Sequence, residues 1–260
     1  MISECLLHCP GIGPRTETRF RELGLSNWDD CLEETGRIPM KGARLRRVID
    51  TLERSREALA TGDIAYFVNA YPAREHWRIL AQYFDRATWF DIETTGLSWH
   101  YNHASVIAAW HRGKMYSFVH GENLDDFLML VDDSELLVTF NGNCFDIPFI
   151  EKTFNIPEIS CPHVDLRWVA YHEGYRGGLK SIEKEINIRR PGEIKDVDGF
   201  EAVDLYYRWQ AGDRSARDKL VAYCRADALS VYMVAARILA RRGVKFDIPG
   251  DAELFDAIRE

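Results

Sequence analysis

The spacing of apolar and polar positions changes rhythm twice along this chain. Up to about residue 62, short apolar segments alternate with sharp breaks. Pro10-Gly11-Ile12-Gly13-Pro14 separates two of them, and Gly24, Gly36 and Gly42 mark others. This pattern predicts a small all-helical segment over 1–62. Residues 73–86 carry Trp77, Leu80, Ala81 and Phe84 at helical spacing, which predicts an amphipathic helix within a connecting stretch, 63–86. Beyond it the period drops to two. The runs 88–93, 104–110, 115–119 and 136–140 read as strands separated by turn residues. From about 145 the helical period returns, interrupted by a short strand near Cys161–Val164, and one long helix covers about 214–241. Consecutive strands followed by strands alternating with helices predict an α/β domain over 87–242, a mixed sheet flanked by helices, with a tail at 243–260.

Composition narrows the possibilities. With 260 residues, 46% of them hydrophobic and 12% aromatic, the chain has the material for a core, and global disorder is excluded. The six cysteines show no CxxC spacing and read as reduced thiols; Cys5, Cys9 and Cys31 lack the fourth ligand of a structural zinc site. The opening MISECLLHCPG has neither a basic leader nor a long apolar run, and no stretch has the length of a membrane span. A cytoplasmic location without membrane partners is the expectation. A net charge of −8 argues against a nucleic-acid partner. Its distribution softens that argument, because residues 1–62 hold ten basic and ten acidic side chains and an acidic total can coexist with a basic docking surface. Arg37, Lys41, Arg44, Arg46 and Arg47 fall within 37–47, where there is no acid.

The candidate chemistry lies in carboxylates. Asp91 and Glu93 alternate with Phe90 and Ile92 in one strand, so the two acids share a face. They read either as a strand end reaching solvent or as a paired acidic site whose repulsion calls for a cation. Asp146 follows the strand 136–140 and reads as a helix N-cap or as a third site acid. Asp227 shares a helical face with Leu220, Tyr223, Cys224 and Val231. An acid on an apolar stripe needs a partner; no basic residue flanks it on that face, so a metal is expected rather than a salt bridge. Tyr223 reads as core packing or as a hydroxyl reaching the same site. Hard oxygen ligands of this kind suit two Mg²⁺ or Mn²⁺ ions, about 4 Å apart in two-metal phosphodiester cleavage. In CPHVDLRW, Asp165 reads as a helix N-cap, with a second metal site involving His163 as the alternative.

Three motifs carry a family resemblance: Asp91-Ile92-Glu93-Thr94-Thr95-Gly96-Leu97, Asn141-Gly142-Asn143-Cys144-Phe145-Asp146, and Tyr223-Cys224-Arg225-Ala226-Asp227. In this order they resemble the DEDD (DnaQ-like) 3′-5′ exonuclease superfamily, on the ribonuclease-H-like fold. The Tyr-x₃-Asp form resembles its tyrosine subclass, and Gly177–Lys184 its YprB-like branch. The resemblance covers roughly 73–242. It implies that Asp91, Glu93, Asp146 and Asp227 hold two divalent ions and that Tyr223 orients the attacking water. It also implies that the backbone at Thr94, Thr95 and Gly96, with the Leu97 side chain, meets the terminal nucleotide. Asn141 and Lys180 are further substrate-contact candidates, Lys180 equally a solvated lysine at a helix start. Residues 176–195 carry six basic and three acidic side chains, a phosphate-facing rim or a solvated face.

The front segment, Leu6-Leu7-His8-Cys9-Pro10-Gly11-Ile12-Gly13-Pro14-Arg15 through Leu25, resembles a helix-hairpin-helix motif. Gly11, Gly13, Arg15, Arg44, Arg46 and Arg47 are the expected nucleic-acid-docking residues, since glycines allow close approach of a phosphate. GIGPRTET lacks the Gly-Lys-Ser/Thr of a Walker loop. The expectation is a metal-dependent 3′-5′ exonuclease acting on nucleic acid, DNA before RNA. The alternatives are an RNA exonuclease, a structure-specific endonuclease and an inactive binding module.

Overall fold

The computed structural model describes residues 1–190 and 199–259, which form two compact units, Met1–Phe84 and Asp85–Glu260. Part of the basic stretch 176–195 lies outside the described residues.

In the first unit a single 3₁₀ turn, Ile2–Glu4, precedes the Pro10–Pro14 hairpin. Five helices follow: α1 (Pro14–Glu22), α2 (Trp28–Glu33), α3 (Gly42–Thr61), α4 (Ile64–Ala70) and α5 (His76–Tyr83). The helix-hairpin-helix outline is therefore incomplete, with a turn where its first helix would be. Pro14 opens α1, where the lack of an N–H costs nothing. Gly11 takes φ +81°, a backbone conformation that favours glycine. Residues 63–84 are not a separate connector. Phe67 stacks on Trp28, the Tyr71 hydroxyl donates to the Ile2 carbonyl at 2.8 Å, and the Trp28 indole donates to the Cys5 carbonyl at 2.8 Å. All six cysteines are free, and burial pushes the Cys5 and Cys31 thiols up to about 12.

The second unit is built on a five-stranded sheet. Its strands are β1 (Ala87–Thr94), β2 (Ala104–His111), β3 (Lys114–Val119), β4 (Leu136–Thr139) and β5 (His163–Asp165), in spatial order β3-β2-β1-β4-β5. β1, β2 and β3 pair antiparallel, while β4 and β5 join parallel, giving the expected mixed sheet. α6 (Phe127–Asp132) and α7 (Asp146–Phe154) contribute Phe127, Phe149 and Ile150 to the layer that receives Phe90 and Ile92 of β1. On the opposite face α10 (Gly199–Gln210) and α11 (Arg214–Arg241) pack Leu205, Leu220 and Cys224 against Val106 and Ala108 of β2. The alternation along β1 thus sends Phe90 and Ile92 to one layer and turns Asp91 and Glu93 towards α11, on the face where Trp89 meets Tyr232 of that helix.

Two short helices complete the unit: α8 (Leu166–His172) packs against β4 and α11, and α9 (Leu179–Glu185) against α11. The stretch 243–260 is no free tail. α12 (Asp251–Ala257) buries Leu254 and Phe255, Arg237 pairs with Asp251, and Arg225 donates to the Ile258 carbonyl at 3.1 Å. No helix among the described residues is long and apolar enough to cross a membrane.

Candidate active site

The C-terminal half of β1 presents Asp91 and Glu93 at the mouth of a cleft of about 190 Å³. Glu93 is buried, whereas Asp91 keeps partial solvent access through the opening. Asp146 and Asp227 line the same cleft, with Tyr223, Thr94, Leu97 and Asn141. Strand β1, the start of α7 and the middle of α11 therefore bring together four acids that are remote in sequence. Phe140 and Phe145 supply apolar walls that the sequence did not single out. Thr95 and Gly96 shape the turn behind Thr94: the Thr95 amide donates to the His103 carbonyl at 3.0 Å, and Thr94 Oγ1 donates to the Gly96 carbonyl at 2.8 Å. Leu97 projects from this turn with 62% of its surface exposed.

The electrostatics of the four acids are unfavourable without cations. Burial, then the charges of Asp227, Asp146 and Glu93, holds the Asp91 carboxyl well above the usual carboxylate range. Burial and Asp227 do the same to Glu93, with Lys180 opposing them. Burial is also the main cause that lifts Asp146 to about 8. These shifts are expected where carboxylates crowd a site of low polarity. Burial and the same carboxylates raise the Tyr223 hydroxyl, so it remains a protonated donor at neutral pH.

Two expectations require correction. Asp146 is the first residue of α7 and not its N-cap; Phe145 holds the cap position without a side-chain hydrogen bond. Asp227 does have a basic partner. Arg190, only 4% exposed at its side chain, forms an ion pair with Asp227 and a two-armed one with Glu183 of α9, its Nε donating to Glu183 Oε2 at 2.9 Å. Burial favours the neutral guanidine, yet Asp227 and Glu183 together raise Arg190 above its ordinary value. The partner comes from another element, where helical offsets along α11 do not reach. Lys180 stands at the start of α9 with Nζ 4.6 Å from the Tyr223 ring centre, beside the acids.

Two cations thus face five carboxylates, which leaves room for divalent ions. The donor set fits Mg²⁺ or Mn²⁺, because every carboxylate offers hard oxygen. Cys224 Sγ lies near Asp91 and Glu93 but is a poor ligand. Its thiol is pushed well up by burial and by Asp91 and Glu93, and it donates to the Asp91 carbonyl at 3.3 Å.

The loop ahead of Asp146 is pinned from behind. Asp165, the N-cap of α8 as expected, accepts from the Arg167 amide at 3.0 Å, the Asn141 amide at 2.8 Å and the Asn143 amide at 3.2 Å. His163 bonds Thr139 and Asn143, which favours the capping reading over a second metal site. Gly142 passes so close to β4 that an added Cβ would lie 1.8 Å from Thr139 Oγ1. Thr139 is fully buried, so Gly142→Ala should overpack this turn and destabilise the protein by about 1–3 kcal/mol. Urea denaturation checks this; an unchanged midpoint would mean that Thr139 yields freely.

Residues 88–239 match the RNase_H superfamily, and the chain belongs to it. The second unit accordingly has the ribonuclease-H-like fold. The chain is also similar to a DNA polymerase of Archaeoglobus fulgidus, at 25% identity over 142 residues, 45% of this chain and 17% of that protein. The family B DNA polymerase from the hyperthermophilic archaeon Pyrobaculum calidifontis superposes with a TM-score of 0.48 and 17% identity, over 59% of this chain and 24% of that one. The matched stretch spans only a small share of the Archaeoglobus protein's length.

Proposed function

We propose that this protein is a metal-dependent 3′-5′ exonuclease that hydrolyses phosphodiester bonds at nucleic-acid ends, with DNA the favoured substrate. The observation that carries this reading is the convergence of Asp91, Glu93, Asp146 and Asp227 with Tyr223 in one cleft. Membership of the RNase_H superfamily and the similarity to a DNA polymerase support a nuclease. The direction of attack rests on the resemblance to the DEDD superfamily, in its tyrosine subclass.

The four acids would hold two Mg²⁺ or Mn²⁺ ions. When bound, such ions make water more acidic and neutralise charge developing on the phosphate. The remaining work falls to the chain's own groups. Tyr223, held protonated, donates a hydrogen bond and orients the water or a phosphate oxygen. Lys180 adds positive charge beside the Tyr223 ring, where an incoming phosphate meets it. Leu97 and the turn at Thr94–Gly96 hold the terminal nucleotide, and Phe140 and Phe145 exclude water from that wall. Digestion of DNA and RNA oligonucleotides labelled at either end, with and without Mn²⁺, tests the reading. Mononucleotide release from the 3′ end supports it; cutting of closed circular substrate would make the enzyme an endonuclease, and binding without turnover would make it a binding module.

The first unit is proposed to dock the nucleic acid. Arg44 lies against the hairpin at Gly11, and Arg46 and Arg47 are exposed on the same helix, α3. Gly13 and Arg15 flank the start of α1. Replacing Arg44, Arg46 and Arg47 together by Ala should flatten the salt dependence of duplex binding by up to about 2.7, at about 0.9 per lost phosphate contact. Anisotropy titrations at several salt concentrations read this slope, and an unchanged slope would assign α3 another purpose.

A further inference from the structure

Outside the cleft, the cations along its rim are set apart by their partners. Most arginines of this unit are tied to acids: Arg208 to Asp213, Arg217 to Glu122, Arg237 to Asp251 and Arg242 to Glu173. Arg167 and Arg176, like Arg225 and Arg241, are not. Arg167 and Arg176 are both exposed, and neither forms an ion pair with a carboxylate among the described residues. Glu173, the acid nearest Arg176 in sequence, is already held by Arg242 in a two-armed pair.

These arginines frame two exposed aromatic rings. Trp168 and Tyr171 of α8 are 42% and 46% exposed, and their ring centres stand 6.0 Å apart at 72°. Burial on folding therefore does not account for either ring. The Arg167 guanidinium carbon lies 5.9 Å from the Trp168 ring centre, and that of Arg176 lies 4.0 Å from the Tyr171 ring centre. Arg176 is steadied there by donating to the Tyr171 and Tyr175 carbonyls, each at 2.7 Å. At the other end Arg167 hydrogen-bonds the Asn141 side chain, and Asn141 lines the cleft. The row is thus continuous with the candidate active site.

We propose that Arg167, Trp168, Tyr171 and Arg176 form a binding track for an unpaired nucleic-acid strand leading to the cleft. This rests on the nuclease reading for its direction but not for its chemistry. Aromatic faces stack on bases of any sequence, and interleaved arginines follow the phosphates; together they recognise a single strand without reading it. A duplex hides its base faces and offers the rings nothing to stack on. In a chain of net charge −8, exposed arginines that form no ion pair with a carboxylate among the described residues favour a polyanion.

The test uses the full chain in chelator, so that no hydrolysis occurs, with fluorescein-labelled oligothymidylate and oligouridylate as probes. Trp168→Ala with Tyr171→Ala should raise Kd for both probes about tenfold or more, because two stacking contacts are lost and neither depends on the sugar. Trp168→Phe with Tyr171→Phe should restore most of the affinity, since the ring faces return. Arg167→Ala with Arg176→Ala should flatten the salt dependence by about 1.4, at about 0.7 per single-strand phosphate contact. Unchanged affinity of the double alanine variant, at unchanged melting temperature, overturns the proposal. So does an equal loss on a blunt duplex. Failure of the nuclease reading would show separately, as absence of metal-dependent turnover in the unsubstituted protein.

Discussion

Replacing Asp91 by Asn should abolish metal-dependent hydrolysis, by about three orders of magnitude or more, while the metal-free protein gains stability at alkaline pH. The loss follows from position. Asp91 stands on β1 among Glu93, Asp146 and Asp227 at the mouth of the cleft, so its carboxylate has access to any ion bound there. An amide keeps the shape and removes the charge. The gain in stability follows from the same crowding, since burial and three neighbouring acids disfavour the ionised form of Asp91. At low pH the parent carries a proton there and differs little from the variant. As pH rises that proton is lost and repulsion grows, so the gap between the two widens. End-labelled digestion and thermal melts across pH check both halves. Full turnover by the Asn variant would dismiss the assigned centre.

The second large effect is a pH-dependent stability that divalent ions reverse. Asp91, Glu93 and Asp146 all have folded-state pKa values above those of the unfolded chain, Asp146 at about 8 against 3.8. Between about pH 4 and pH 8 the folded protein therefore holds more protons than the unfolded chain. Stability from these groups is complete below the unfolded value and is lost as pH rises through the folded one. At about 1.4 kcal/mol for each pKa unit, several kcal/mol are at stake over this window. Ions that bind only the folded, deprotonated cluster should restore that stability, most strongly at the alkaline end. Melting temperatures in chelator should fall across the window, and millimolar Mn²⁺ should flatten the fall. An unshifted melting temperature with Mn²⁺ at the alkaline end would count against a metal centre.

Much of this architecture was legible because it depends on local periodicity. The alternation in TWFDIE separated Phe90 and Ile92 from Asp91 and Glu93 before any contact was known, and the two layers around β1 follow it. The long helix was readable from its apolar face, and it runs from Arg214 to Arg241. What escaped depends on partners in other elements. Arg190, in the segment after α9, pairs with Asp227 of α11, where no helical offset leads. α12 buries Leu254 and Phe255 through tertiary packing that a short segment does not announce. The stretch 63–84 looked like a connector because its Phe67 and Tyr71 meet partners near residues 2 and 28. Glycine and proline marked the hairpin at Gly11 correctly, but nothing in Leu6–Leu7 distinguished a helix from a turn.

The connections around the cleft differ in how they are secured, and this divides labour between them. The segment from Asn141 to Asp146 is fastened by two amide bonds to Asp165, which also caps α8, and by the closeness of Gly142 to Thr139. Its length is fixed, since one inserted residue would carry Asp146 away from Asp91. The turn from Leu97 to Tyr101 is the opposite case, with Leu97 and Tyr101 largely exposed and Asn102 and His103 closing it behind. Insertions or exchanges there leave the acids in place and alter only what lies over the opening. On the proposed nuclease, loop grafting between relatives at this position is therefore expected to change substrate preference while the four acids stay in place.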